Sequence, residues 1–201
     1  MWLVGDSVEL ARKCVGGMGD RWVHLSAVGG VAEGLATRSD IVTESVVSAA
    51  WLHDIGYSHD IVVTGFHPLD GARFLQSMGC PDEVVALVGH HTGAAYEAEE
   101  RGLINEWGEL PTPESAALDV LTMVDLAVGP AGQPQLDIDR VAGMLNRYDE
   151  DDPVHRAVTR SRDLLLASSA RGKRLLGLPD DWPLVASEGM GDSQSHRGMQ
   201  L

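Results

Sequence analysis

Apolar residues recur every three or four positions along most of this chain, which is the spacing of amphipathic α-helices. Segments rich in β-branched residues, such as residues 61–64, are short. Glycine, proline and small polar residues separate the periodic segments. The predicted helices cover residues 6–16, 22–37, 41–54, 67–78, 82–91, 113–128, 137–148 and 153–175. The sequence therefore predicts an all-α fold, a single compact bundle of about seven or eight helices.

Residues with known preferences for helix ends support these boundaries. Ser39-Asp40 is a predicted N-cap for the third helix, and Gly56 is predicted to close that helix in the left-handed conformation. Thr112 is a predicted N-cap for the sixth helix, because Pro113 follows it at the first helical position.

The chain has 201 residues, a length that fits one domain. We expect residues 1–186 to form this domain. The remaining residues, 187–201, are rich in glycine and serine and have no apolar period, so they are predicted to be a mobile tail.

Acidic residues outnumber basic ones by 30 to 15, which gives a formal net charge of −15. Because phosphate backbones and anionic membranes attract clustered Lys and Arg, this balance predicts neither a nucleic-acid polymer nor a membrane as a partner. The first residues do not resemble a secretory signal, and no apolar run is long enough to span a membrane. The sequence therefore predicts a cytoplasmic protein and leaves its oligomeric state open.

Histidine and aspartate interrupt the apolar faces of four predicted helices. His24, His53, His91 and Asp125 each share a helical face with aliphatic residues at spacings of three and four. A buried carboxylate costs several kcal/mol unless a cation or strong donors meet it. Since few lysines or arginines occupy matching positions, a metal site is the simplest explanation of this pattern.

His24, His53, Asp54 and Asp125 would give one ion four ligands from three helices. If Asp54 bridges, the three remaining histidines near the same core can hold a second ion. These histidines are His67, His90 and His91. Imidazole and carboxylate together suit a divalent transition metal, so the sequence predicts one or two ions of Fe, Mn, Zn, Co or Ni per chain.

The segment Trp51-Leu52-His53-Asp54-Ile55-Gly56, with His24 upstream and Asp125 downstream, resembles the signature of the HD superfamily of metal-dependent phosphohydrolases. Its His-Asp-Ile-Gly core matches the common HDIG form of that family. His67 and the pair His90-His91 are similar to the histidines of the subset with two metals.

The bacterial diadenosine tetraphosphate hydrolases look like the most similar branch of that superfamily. They share an arginine three residues before the first histidine (Arg21), a His-Thr-Gly sequence (residues 91–93) and a Gly/Pro-rich stretch (residues 129–134) that leads to Arg140. Tyr57 stands where that branch and the nucleotidases tend to carry Glu or Lys. The resemblance covers about residues 20 to 145.

This resemblance implies an enzyme that hydrolyses a phosphoester or phosphoanhydride of a small phosphorylated molecule, with a nucleotide as the expected substrate. Asp54 would bridge the two ions, and Arg21 would contact a substrate phosphate, because a guanidinium binds phosphate in a bidentate manner. His90 is either a third ligand of the second ion or a residue on the substrate side. The alternatives are a di-iron oxygenase of the same superfamily and a non-catalytic module that senses a ligand.

Overall fold

The computed structural model describes residues 2–184, and within that range it is helical with no β-strand, which confirms the all-α prediction. Its α-helices are α1 (Val4–Val15), α2 (Asp20–Ala36), α3 (Glu44–Leu52), α4 (His67–Ser77), α5 (Asp82–His90), α6 (Ala94–Glu100), α7 (Ile104–Trp107), α8 (Ser115–Leu126), α9 (Asp137–Arg147) and α10 (Pro153–Leu175). No helix of this described part is long and apolar enough to cross a membrane. The predicted tail, residues 187–201, lies outside the described residues.

The helices that the sequence predicted are those with a sustained apolar period. Each predicted helix corresponds to one of nine or more residues in the structure. The sequence did not predict α6 and α7, which have seven and four residues. Helices of one or two turns are too short to show an amphipathic period, so the apolar pattern predicts no helix between α5 and α8.

Helix α3 lies at the centre of the fold. Seven consecutive residues, from Val46 to Leu52, are buried, and the helix packs against α1, α2, α5 and α8. A helix that is apolar on all sides is stable only when neighbouring helices surround it. This burial places the residues that follow α3, His53 and Asp54, inside the protein.

Helix α8 is the second buried helix, and every residue from Asp119 to Leu126 is inaccessible to solvent or nearly so. It packs against α3 on one side and against the long helix α10 on the other. Asp125 lies in its last turn. The packing of α3 and α8 therefore brings their carboxyl-terminal ends into one region.

Two predicted helix caps are wrong. The side chain of Thr43, and not Ser39-Asp40, caps α3 by accepting a hydrogen bond from Val46 N at 3.3 Å. The carboxylate of Glu114, and not Thr112, caps α8. In both segments several residues that can cap a helix lie close together, and the first residue able to reach the free N–H groups of the packed helix takes that role.

Candidate metal centre

Six predicted ligands meet where helix ends converge. His24 lies in α2, His67 is the first residue of α4, His91 follows α5, and Asp125 lies near the end of α8. The structure forms two groups whose ligand atoms lie within 4.8 Å of one another. The first group is His24, His53 and Asp125, and the second is Asp54, His67 and His91.

The first group is fully buried. His24 Nε2 lies 3.1 Å from Asp125 Oδ1, and His53 Nε2 lies 3.8 Å from the same oxygen. His53 Nε2 has no hydrogen-bond partner within the described part of the chain, although solvent cannot reach it. A buried imidazole nitrogen without a partner costs free energy unless something binds it, and a metal ion is such a partner.

The second group lies beside the first. His67 Nε2 is 3.1 Å from His91 Nε2 and 3.4 Å from Asp54 Oδ1. The other carboxylate oxygen, Asp54 Oδ2, is 3.7 Å from His53 Nε2. Asp54 therefore faces both groups, one oxygen towards each, which is the placement that a bridging ligand requires.

Backbone carbonyls fix the orientation of three of the histidines. The Nδ1–H groups of His24, His53 and His91 donate to Gly129 O, Ala50 O and Val88 O at 3.2, 2.9 and 2.6 Å. With Nδ1 donating, Nε2 is the nitrogen that is left to bind an ion. The three Nε2 atoms all face the space between the two groups.

The ionisation states of the site suit metal binding. Burial favours the neutral form of Asp54, but the attraction of His53 and Arg21 outweighs it and holds the pKa of Asp54 well below its ordinary value. Against the same effect of burial, a hydrogen bond from His24 and the charge of His53 hold the pKa of Asp125 low. Burial lowers the pKa of His67 and of His91. The centre thus presents charged carboxylates, and burial favours the neutral imidazoles of His67 and His91, which are the forms that bind metal.

Arg21 and Tyr57 cover the open side of Asp54. Arg21 Nη1 donates to Asp54 Oδ2 at 2.6 Å, whereas the sequence predicted that Arg21 would contact a substrate phosphate. The guanidinium carbon of Arg21 lies 3.7 Å from the centre of the Tyr57 ring. That ring stacks on His67, with centroids 4.0 Å apart and planes inclined by 19°.

A tight turn after α3 places His53 and Asp54 at the site. Residues Ile55–Tyr57 form one turn of 3₁₀ helix, and Gly56 does not adopt the left-handed conformation that the sequence predicted. Glycine is required there for a different reason. A Cβ at this position would lie 2.0 Å from the carbonyl oxygen of His67, so only glycine lets α4 approach the turn.

His90 belongs to neither ligand group. Its Nδ1–H donates to Ala86 O at 2.9 Å, and its ring packs on Trp107 with centroids 4.4 Å apart. The side chain lines a separate cavity together with Trp107. Neighbouring helical residues point about 100° apart, and His91 rather than His90 faces the centre.

The structure adds residues that sequence reasoning did not identify as functional. The hydroxyl of Thr92 donates to Asp125 Oδ2, and Thr92 holds a left-handed backbone with φ of 44°. Strain of this kind in a β-branched residue often marks a functional site. The only sequence signal for Thr92 is the His-Thr-Gly triplet. In the sequence this triplet supports a family resemblance and does not indicate a contact with Asp125.

Arginines line the cleft that leads to the centre. Arg140, to which the Gly/Pro-rich stretch leads, is 8% exposed, and Asp125 Oδ1 lies 4.0 Å from its Nη2. Arg21 and Arg147 line the same cleft. Three guanidinium groups beside a potential metal centre favour an anionic ligand.

No known family pattern matches this chain, and no solved structure matches it. The chain is similar to a tRNA (cytidine(56)-2'-O)-methyltransferase of Thermoplasma volcanium, with 26% identity over 133 residues. The matched segment is 66% of this chain but only 38% of the relative. The chain therefore spans well under half the length of the relative that it matches.

This similarity contradicts the assignment to the HD phosphohydrolases, because the relative is named for methyl transfer to tRNA. The predicted enzyme class, a hydrolase acting on phosphoesters or phosphoanhydrides, is contradicted with it. The oxygenase and ligand-sensing alternatives fit no better. The physical reason is that the motif consists of candidate metal ligands, and such residues would specify where ions bind but not which bond reacts.

The predicted partners are contradicted by the same finding. We expected a small phosphorylated molecule and no nucleic acid, whereas the relative acts on tRNA. The expectation relied on the net charge of −15, which averages over the whole surface. Such an average does not describe a cleft in which Arg21, Arg140 and Arg147 lie together.

Proposed function

We propose that this chain is a divalent-metal-binding domain that functions in tRNA modification. The observation that carries the proposal is the buried centre in which Asp54 faces two groups of ligand atoms. The similarity to a tRNA methyltransferase supports the role in tRNA modification. A tRNA partner also supports the cytoplasmic location that the sequence predicts.

The donor set fits a transition metal such as Fe, Mn, Zn, Co or Ni. His24, His53 and Asp125 would hold one ion, and Asp54, His67 and His91 would hold a second. Three protein ligands for the second ion leave positions for a ligand from outside. The ions would supply positive charge that binds and polarises oxygen atoms.

The arginines of the cleft would contact the RNA. Arg21 already pairs with Asp54, and the buried Nε of Arg140 has no hydrogen-bond partner among the described residues. A phosphate group of tRNA would satisfy both guanidinium groups, since phosphate accepts paired hydrogen bonds from arginine. The chain itself thus provides both the metal ligands and the contacts for an anionic RNA group.

The first experiment is to quantify bound metal in protein purified without chelator. We expect about two ions per chain, the number that the two ligand groups accommodate. The Asp54→Ala variant should lose the second ion and bind the first more weakly. The control Asp60→Ala, which removes an exposed carboxylate, should keep both ions. A wild-type protein that binds no metal after reconstitution with each of the five metals would overturn the proposal.

The role in tRNA modification needs a separate measurement. Binding of a tRNA transcript is compared for wild type and for Arg140→Ala, with the exposed Arg38→Ala as the control. We expect Arg140→Ala to weaken binding and Arg38→Ala to leave it unchanged. Metal-loaded protein that shows no affinity for tRNA would contradict this half of the proposal and leave the metal centre standing.

Methyl transfer is the second candidate function, and the name of the relative is what favours it. The matched segment is 38% of that protein, so the test must use this chain alone. Labelled S-adenosylmethionine is incubated with the chain and a tRNA transcript. Label on a ribose hydroxyl would support methyl transfer, and its absence with active tRNA binding would restrict the chain to a binding role.

A further inference from the structure

Tyr57 contacts two residues of the candidate centre at once. It follows Asp54 by three residues and lies in the turn Ile55–Tyr57. Its ring stacks on the imidazole of His67 with a centroid distance of 4.0 Å, and the guanidinium of Arg21 lies 3.7 Å from the ring centre. Arg21 and His67 in turn both contact the carboxylate of Asp54, at 2.6 and 3.4 Å.

His67 differs from the other three candidate histidine ligands in how it is held. His24, His53 and His91 each donate Nδ1–H to a backbone carbonyl. Within the described residues, no such hydrogen bond holds His67, whose side chain is also the most exposed of the four at 14%. Something else must therefore keep its ring in the orientation that directs Nε2 towards Asp54 and His91.

The ring of Tyr57 meets that requirement. A nearly parallel stack restricts rotation of the imidazole about its side-chain bonds, as a hydrogen bond at Nδ1 does for the other histidines. The tyrosine itself is well fixed, because Gly56 beside it packs directly on the backbone of α4. The contact with Arg21 is a cation–π interaction that places the guanidinium over Asp54.

We infer that Tyr57 is a positioning residue of the metal centre, which orients His67 for the second ion and Arg21 for the anionic ligand. This inference rests on the proposed metal-binding function. An aromatic ring is the essential feature, since the hydroxyl makes no contact that the role requires.

The test is a titration of metal-free protein with Co²⁺ alone, followed by the visible absorption of the bound cobalt. Wild type is compared with Tyr57→Phe, which keeps the ring, and with Tyr57→Leu, which removes it. The matched control is Tyr96→Leu, at a tyrosine that lines the cavity beside His90 instead. Thermal unfolding of each metal-free variant measures any general effect on the fold.

We expect Tyr57→Leu to weaken the second cobalt site at least about tenfold, the usual scale for loss of a group that orients a ligand. The first site should be unchanged, and Tyr57→Phe should restore both the affinity and the absorption spectrum. Equal affinities in wild type and Tyr57→Leu would overturn this inference while the metal centre stands. Equal loss in the Phe and Leu variants would overturn the role of the ring. A wild type without a second site would overturn the inference and the two-ion centre together.

Discussion

Individual histidines of this protein differ in the surroundings of their imidazole rings. His53 Nε2 is buried, has no partner in the described part of the chain and faces Asp54 and Asp125 at 3.7 and 3.8 Å. His90, two helical elements further along, is half-buried against Trp107. Histidine is therefore a candidate metal ligand at position 53 and a packing residue at position 90.

This difference predicts opposite responses to substitution. Wild-type protein should gain about 2.7 kcal/mol of unfolding free energy from each ion whose concentration is 100 times its dissociation constant, because the ion binds only the folded state. His53→Leu should lose the gain from the first ion, whereas His90→Leu should keep the full gain. Urea unfolding with and without Mn²⁺ measures both. A full metal-dependent gain in His53→Leu would exclude His53 as a ligand.

At the scale of elements, the centre depends on how closely α4 approaches the turn that follows α3. A Cβ on Gly56 would lie 2.0 Å from His67 O and 2.8 Å from Gly71 N, and both are backbone atoms that cannot rotate away. Any side chain at position 56 must therefore push the start of α4, and with it His67, away from Asp54.

Gly56→Ala should accordingly destabilise the fold by about 1–3 kcal/mol, the usual cost of overpacking. The substitution should also weaken binding of the second ion more than binding of the first, because His67 moves and His24 does not. Gly30→Ala is the matched control: this exposed glycine of α2 has open space around it, so alanine there should stabilise by about 0.5–1 kcal/mol. If Gly56→Ala has the stability and the metal affinity of the wild type, the close approach of α4 to the turn at Gly56 is not required for the metal centre.

The helices and the residues between them also show which features of the fold and the site could be predicted from the sequence. Long helices such as α10 follow directly from apolar periodicity, and six of the candidate ligands, which the structure brings together, could be named because polar residues interrupt that periodicity. The buried state of Arg140 and the strained backbone of Thr92 could not be predicted, because each depends on packing between distant segments. The reaction could not be predicted either, because metal ligands alone do not determine it.

Considered as a whole, the molecule has several groups of ionic contacts. One is the candidate centre, and another joins α9 to α10 near the end of the described chain. There Lys173 Nζ donates to Asp137 Oδ2 at 2.9 Å and to Asp180 O at 2.8 Å, and Ser169 Oγ donates to Asp137 Oδ2 at 2.7 Å. This second network contains no candidate ligand, so it provides a test of global stability that is independent of metal.

The network makes stability depend on pH in a defined direction. Burial opposes the charge of Asp137, but the hydrogen bonds from Lys173 and Ser169 outweigh it and lower the pKa of its carboxyl group. A carboxyl group whose pKa is lower in the folded than in the unfolded chain stabilises the fold fully above its unfolded value, about 3.9. That contribution is lost as the pH falls through the folded value.

Lys173→Met removes the charged partner but keeps an apolar side chain of similar length. We expect it to lower the unfolding free energy by about 1–3 kcal/mol at pH 7, since Asp137 stays partly buried with only Ser169 and the backbone N–H of Ile138 as partners. Because protonated Asp137 no longer pairs with Lys173, the gap between variant and wild type should narrow below about pH 4. Urea unfolding at pH 7, 5 and 3 measures this difference in unfolding free energy. The control is Lys13→Met, at an exposed lysine. A gap of constant size across this range would show that Lys173 stabilises the fold by packing and not through the charge of Asp137.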